Sequence, residues 1–325
     1  MTSRARLRRI THIIALLACC IAAGVAHAAD SSYPSRPIRF IVPFAPGGGS
    51  DAIARIYAPK LSEIMGQNWI VDNRTGAAGN LAAELVDNAN PDGHTVLLVL
   101  DTMLTANPSL YNTSFDLQPV VILAATDQIV VVHPDVPAKT LKEFVALAKQ
   151  KPGQLRHGSG GMGSSNHLAA ELLKKVTGID VVHVPYKGSG PSLTAVLAGE
   201  IQMNVSSTAS SINYIKAGRL RGLASTGTKR SKAMPDLPTV AESGYPGFQA
   251  LQWYGLAVPG ATPKGIVERI REASLKAQKD SAVLAGMARL GFEPEPSTIA
   301  GLAARIKKER AKWAGIIKEA GIKLR

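Results

Sequence analysis

The chain has 325 residues, 46% hydrophobic and 19% charged, with a formal charge of +13 and two cysteines. That length suits two domains of ordinary size with ample core, and the basic surplus lacks the clustering and interleaved aromatics of a nucleic-acid surface, so nucleic acid is not an expected partner. Its densest basic run, "RIKKERAK", reads as the solvated face of a helix.

The first elements are those of an export leader. Arg4, Arg6, Arg8 and Arg9 precede an apolar run from about Ile10 to Val25, and Ala26-His27-Ala28 offers the small-x-small pattern of a signal peptidase site. The alternative, lipidation at Cys19 in Leu16-Leu17-Ala18-Cys19, fits less well, so a cleaved signal over residues 1–28 and release into the periplasm are expected. Cleavage leaves 297 residues and, with four arginines and no acids removed, lowers the formal charge to +9. Cys19 and Cys20 go with the leader, leaving no disulfide, no Cys-ligated metal and no thiol nucleophile.

Beyond the leader, short β-branched runs alternate with helical stretches, which predicts α/β layers. "IRFIVPF" predicts a strand, Asp51 to Met65 a helix, "NWIVDN" a strand, Asn80 to Asn88 a helix, and "HTVLLVL" a strand. "PVVILAATDQIVVVHP" then gives two apolar runs with no helix between, as where a chain leaves one domain for another. Thr140 caps a predicted helix over "LKEFVALAKQ", a short strand leads into "HGSGGMGSS", a helix covers "NHLAAELLKKVTG", and "VVHVPYKG" is a strand. A helix from about Pro191 to Ala198, the strand "IQMNVSS", the helix "ASSINYIKAG" and the strand "LRGLAST" follow. "FQALQWYGLAVPG" predicts a return strand, and two helices, near Pro263 to Lys279 and Thr298 to Ala320, close the chain. The expected division is a discontinuous first domain, residues 29–115 plus 250–325, with residues 116–249 inserted as a second. The linkers fall near Phe115 to Ala125 and Gly247 to Val258.

One pattern occurs twice. "FIVPFAPGGG" and "VHVPYKGSGP" each run an apolar strand through Val-Pro-aromatic into a glycine-rich loop and a helix start, one in each domain. The first N–H groups of a helix have no intrahelical partner, and the dipole there favours negative charge by about 0.3 to 1 kcal/mol. Two such starts facing one cleft would hold a carboxylate from both sides.

Across nearly the whole exported chain, "VPFAPGGGSD", "VDNRTGAAGN", "ANPSLY", "HGSGGMGSSNHLAAE", "VPYKGSGP", "IKAGRLRGLAST", "LPTVAESGYPGF" and "WYGLAVPGATP" resemble, in order, the signatures of the Bug-type extracytoplasmic solute receptors, the binding proteins of tripartite tricarboxylate transporters. The resemblance implies a two-domain periplasmic binding protein of type II (Venus flytrap), each domain a sheet flanked by helices, that catalyses nothing and needs no cofactor or metal. It implies a monomer that carries a small carboxylate to a membrane permease or a sensor protein. It assigns the ligand carboxylate to Phe44, Ala45, Gly47, Gly48 and Gly49 on one loop and Tyr186, Lys187, Gly188 and Ser189 on the other. Ser159, Ser164 and Ser165 are expected to line the cleft, with Thr102 at a strand end. Relatives of this kind commonly place an acid in the run matching "IQMNVSST", where this chain has Asn204, Ser206 and Ser207; its loss implies a ligand without an amino group.

The rival reading is a dinucleotide enzyme. Gly158 to Gly163 satisfies G-x-G-x-x-G, and Gly47 to Ala52 its relaxed form with Asp72 downstream. Pro43 and Pro46 lengthen the first loop and remove two donors, and Asp180 precedes its strand instead of ending it, which disfavours a ribose contact. A hydrolase lacks its elbow, since His157 stands where G-x-S-x-G needs glycine. His167 and Glu171, four apart, suit a surface pair or a cap better than half a metal site; His183 suits a core position and Asp51 a helix cap. Ser159 suits a turn as well as a ligand contact, Lys187 a solvated loop as well as the cleft, and Trp253 and Tyr254 suit hinge packing.

Overall fold

The computed structural model describes residues 33–319 and 321–323; the leader expected over residues 1–28 lies outside them. The chain builds two sheets. The first has strand order β11-β4-β10-β3-β1-β2, from β1 (Ile38–Val42), β2 (Trp69–Asn73), β3 (Thr95–Leu100), β4 (Leu117–Thr126), β10 (Gln252–Pro259) and β11 (Phe292–Pro294). The second has order β7-β6-β8-β5-β9, from β5 (Gln128–Val132), β6 (Arg156–Ser159), β7 (Val182–Pro185), β8 (Met203–Ser207) and β9 (Arg221–Ser225). In each sheet three parallel strands meet an antiparallel partner, β10 on β3 and β5 on β8.

Helices cover both sheets, giving a two-lobed α/β molecule. In the first lobe, α1 (Gly49–Met65) lays Ile53, Tyr57 and Leu61 against the sheet at four-residue spacing, and the Tyr57 hydroxyl donates to the Leu123 carbonyl at 3.0 Å. The other helices here are α2 (Asn80–Asp87), the short α3 (Asp101–Thr105) and α4 (Asn107–Tyr111), then α9 (Lys264–Ala277), α10 (Ser281–Arg289) and α11 (Ile299–Glu319). In the second lobe, α5 (Leu141–Gln150) and α6 (Ser165–Thr177) close one face of the sheet over Phe144 and Leu173. On the opposite face, α7 (Ser189–Leu197) and α8 (Thr208–Lys216) pack over Leu193 and Val196.

Thr140 caps α5 as its sequence predicts: its hydroxyl accepts from the Glu143 N–H at 3.2 Å, and the Glu143 carboxylate reaches back to the Lys139 N–H at 2.6 Å. Thr140→Ala should therefore cost about 1 kcal/mol, read as a lowered urea midpoint with an unchanged slope.

Two features depart from the sequence reading. β4 stays in the first sheet, so the chain crosses at Asp127 and not near residue 115, because β10 and β11 flank β4 and satisfy its backbone on both sides. The segments around residues 115–125 and 247–258, expected as linkers, are thus largely strand; the crossings lie at Asp127 and between β9 and β10. The close of the chain holds three helices and not two: α10 begins at Asp280, whose carboxylate accepts from the N–H groups of Ala282 and Val283 at 2.9 and 3.2 Å.

The lobes also touch away from the crossings. Leu168 on α6 packs with Ala106, Trp313 and Ile317 of the first lobe, Lys175 pairs with Glu319, and the Tyr111 hydroxyl donates to the Met162 carbonyl at 2.6 Å.

Candidate functional site

β1 delivers the chain to Gly47, whose φ of +84° suits glycine, and then to Gly48, the residue capping α1. Asp51 in the first turn accepts from the Gly47 N–H at 3.2 Å and pairs with Arg55 at 3.0 Å, the capping role expected of it. Asn73 at the end of β2 fixes the loop from below, donating to the Phe44 carbonyl at 2.8 Å.

β7 does the same for α7 in the other lobe. Gly188, with φ +147°, caps the helix, and the Tyr186 N–H donates to the Ser159 carbonyl at 3.0 Å. The two strands are not topological equivalents, since β1 is flanked on both sides and β7 is an edge. Their loops nevertheless meet. The Ala45 N–H donates to the Lys187 carbonyl at 3.2 Å across the cleft, a Cβ at Gly48 would stand 3.7 Å from the Ser189 Cβ, and one at Gly188 only 3.0 Å from the Ala45 nitrogen. The starts of α1 and α7 therefore point into one space. Phe44 is buried and Ala45 half-buried there; the Tyr186 ring turns back over Gly158 of its own lobe, and the Lys187 side chain is exposed.

The loop after β6 closes the side of this space but spends its own donors. The Gly160 N–H goes to Asn166 Oδ1 at 3.1 Å, that of Gly161 to the Ser159 hydroxyl at 3.1 Å, and that of Gly163 to His167 Nδ1 at 3.1 Å. A pyrophosphate would find these amides occupied, which argues against the dinucleotide reading on geometry. Ser159 behaves as the turn residue it resembled, its hydroxyl 2.6 Å from His183 Nε2. Ser164 caps the loop through the Gly161 carbonyl at 2.6 Å, while Ser165, buried at the start of α6, faces the first lobe. His167, expected on a surface or at a cap, is buried and serves the cap; among the described residues no cluster of three or more His, Cys, Asp or Glu is arranged to hold a metal.

The cleft walls include residues that sequence reading did not single out. Phe44, Gly48, Gly49 and Ser189 line the central void together with Ser50, Leu100, Gly160, Asn166, Gln252 and Tyr254. Asn166 ties the β6 loop to the α7 start, donating to the Ser189 hydroxyl at 2.9 Å. Tyr254 does more than pack at the crossing: alternation along β10 sends Trp253 to Glu309 on α11 and Tyr254 towards Gly49 and Ser207. Thr102 is buried with its hydroxyl unpartnered. Asn204 donates to Ser192 of α7 within its own lobe at 2.7 Å and keeps its Oδ1 buried and unpartnered, and Ser206 is buried with its hydroxyl unpartnered; on β8 it is Ser207 that approaches the opposite lobe.

The lobes are shut. The void between the loops is about 10 Å³, the room of a single water molecule. Roomier grooves of about 270 Å³ lie elsewhere, one behind the crossing beside Asp127, Lys229 and Glu293 and one beside Arg305 and Trp313, but neither glycine loop reaches them.

With this geometry established, comparison with known proteins is specific. The family profile described as "TctC: Tripartite tricarboxylate transporter family receptor" matches residues 53–322. Protein BugT of Bordetella pertussis is 33% identical over 324 residues, 97% of this chain and 99% of that protein. A Rhodopseudomonas palustris protein solved with adipate is 31% identical, with a TM-score of 0.86 over 90% of this chain and 99% of its own. MatC of the same organism, with bound malate, is 28% identical with a TM-score of 0.84, over 88% of this chain and 100% of its own.

Proposed function

The chain belongs to the tripartite tricarboxylate transporter receptor family, whose members are solute-binding receptors and not enzymes, and on that premise we propose that it captures a small organic carboxylate between its two lobes. The observation that carries this reading is the convergence of two glycine-rich helix starts, one from each lobe, on one space. Helix N-terminal amides and their dipoles favour an anion, and an anion held by both lobes makes closure depend on its presence. Phe44, Ala45, Gly47, Gly48 and Gly49 would present one set of backbone groups, and Tyr186, Lys187, Gly188 and Ser189 the other. The adipate and malate found in related receptors support a carboxylate of similar size.

A void of about 10 Å³ admits no such molecule, so the lobes must part for loading, turning at Asp127 and between β9 and β10. The closed surface is then the signal read by a permease or a sensor, and the protein works as a monomer in the periplasm after loss of residues 1–28. Among the described residues no helix is long and apolar enough to cross a membrane.

A thermal-shift panel of mono-, di- and tricarboxylates, amino acids and NAD(H) tests the reading. A carboxylate at 100 times its Kd should stabilise the fold by about 2.7 kcal/mol, a rise of roughly 5 °C. Stabilisation by NAD(H) alone would overturn the receptor reading in favour of the dinucleotide site.

A further inference from the structure

Asp101 directly follows Leu100, which lines the central void, and its carboxyl faces the Ser165 hydroxyl of the opposite lobe. It is only 1% exposed, and its Oδ1 meets no hydrogen-bond donor. Two more buried acceptor oxygens nearby are also unpartnered: Gln128 Oε1, whose amide nitrogen is 3.5 Å from the same Ser165 hydroxyl, and Gln252 Oε1 on the cleft wall. The charged groups facing Asp101 from α11 are Arg305 and Glu309, and they are engaged elsewhere. Arg305 pairs with Glu309 at 2.8 Å and with Glu295, and Glu309 accepts from the Trp253 indole at 2.8 Å. What gathers at the join of the lobes is therefore a set of acceptor oxygens with only neutral hydroxyls and amides around them, those of Ser165, Thr102 and Tyr254 included, and no cation paired to the one that can carry full negative charge. A buried carboxylate left in this state is costly, and a cationic donor is what relieves it.

We propose that the ligand carries an amino group as well as the carboxylate held by the glycine loops, and that Asp101 receives this ammonium with Gln128 and Gln252 as supporting acceptors. The ligand class is thus an amino-carboxylate, an inference that rests on the carboxylate reading above. It reverses the implication drawn from Asn204 and Ser206: the acid absent from β8 of the second lobe is supplied by the end of β3 in the first. Burial, and secondarily Glu309, pushes the Asp101 carboxyl well above the usual carboxylate range, and a cation beside it would act in the opposite sense.

Calorimetric titration of the exported chain at pH 7.5 with three matched pairs, succinate and aspartate, glutarate and glutamate, butyrate and 4-aminobutyrate, tests the assignment. At least one aminated member should bind about tenfold or more tightly than its partner, the strength of a charge-assisted hydrogen bond. Asp101→Asn and Asp101→Ser should erase that preference by weakening the aminated member, with circular dichroism melting confirming that both variants fold. If the unaminated acids bind as well as the aminated ones, or if both variants keep the preference, this inference is overturned while the carboxylate reading stands. If none of the six acids binds, the carboxylate reading falls and takes this inference with it.

Discussion

Gly188→Asp should weaken carboxylate binding by about 100-fold or more, a loss of about 2.7 kcal/mol, while the protein stays folded. In the closed molecule a Cβ at this position would stand 3.0 Å from the Ala45 nitrogen and 3.4 Å from the Phe44 Cβ, both across the cleft. The bond from the Ala45 N–H to the Lys187 carbonyl would have to yield first. When the lobes part these contacts vanish, so the clash falls on the closed state alone, the only one in which both helix starts reach the same anion. At φ +147° and ψ 169° the backbone of Gly188 is one that side-chain-bearing residues rarely adopt, a cost of about 1–3 kcal/mol, but open and closed states share it. Gly199→Asp is the control for an aspartate at positive φ without a clash, because Gly199 has φ +73° and nothing within 4 Å of an added Cβ; it should lose some stability and keep its affinity. Gly48 gives an independent reading. Its backbone is extended and an added Cβ meets only ordinary contacts, so Gly48→Ala should bind nearly as the parent does, whereas Gly48→Asp sets a carboxylate where the anion belongs and should abolish binding. Parental affinity in both Gly188→Asp and Gly48→Asp would end the two-loop clamp.

The glycine loops were legible in the sequence because their chemistry is local: strand, Val-Pro, glycines and helix start lie within about ten residues, and each signal fixes backbone geometry without help from the rest of the fold. The same holds for α1, α5 and β3, whose apolar spacing or capping residues decide their form. Elements that exist through tertiary pairing were not legible. β11 has three residues and is a strand only because β4 lies beside it, and α10 buries just Val283 and Met287, too few to show a helical period. The cleft side chains fail for a related reason. Tyr254 and Gln252 come from a strand some 150 residues beyond Leu100, and only their antiparallel placement in one sheet makes them neighbours of the β3 end. On β8 the strand's parity divides the residues: successive residues face opposite sides, so Asn204 turns to Ser192 under α7 while Ser207 approaches Gly49 and Tyr254.

Acid should unfold this protein earlier than its cleft chemistry requires, because three imidazoles are stacked beneath the β6 loop. The His157 and His183 rings lie 4.9 Å apart and those of His167 and His183 4.1 Å apart, with Glu171 3.5 Å from His157 and Lys174 2.9 Å from Glu171. Burial pushes the His157 pKa down against the pull of Glu171; it takes His167 down to about 4, and burial with the neighbouring imidazoles takes His183 down to about 2. In the unfolded chain each titrates near 6.5. Between about pH 6.5 and 4 the unfolded state therefore binds more protons than the folded one, so stability is complete above 6.5 and lost as the pH falls. Each histidine that stays neutral removes about 2 kcal/mol between pH 6.5 and 5, and two or three of them would consume much of a typical 5–15 kcal/mol. Glu171 acts in the same sense further down: burial would raise it, but its bonds to His157 and Lys174 hold it at about 2, so its contribution is present above the unfolded value near 4.3 and is lost as pH falls towards 2. Urea midpoints at pH 7.5, 6.5, 5.5 and 4.5 measure the slope, and His183→Gln should flatten it by about one proton. A flat profile between pH 6.5 and 5 would mean that the imidazoles take up protons without unfolding. Because the Gly163 N–H rests on His167 and the Gly161 N–H on Ser159, itself bonded to His183, protonation that breaks the stack also releases the loop beside Ser189. Ligand affinity should therefore fall over the same pH range as stability.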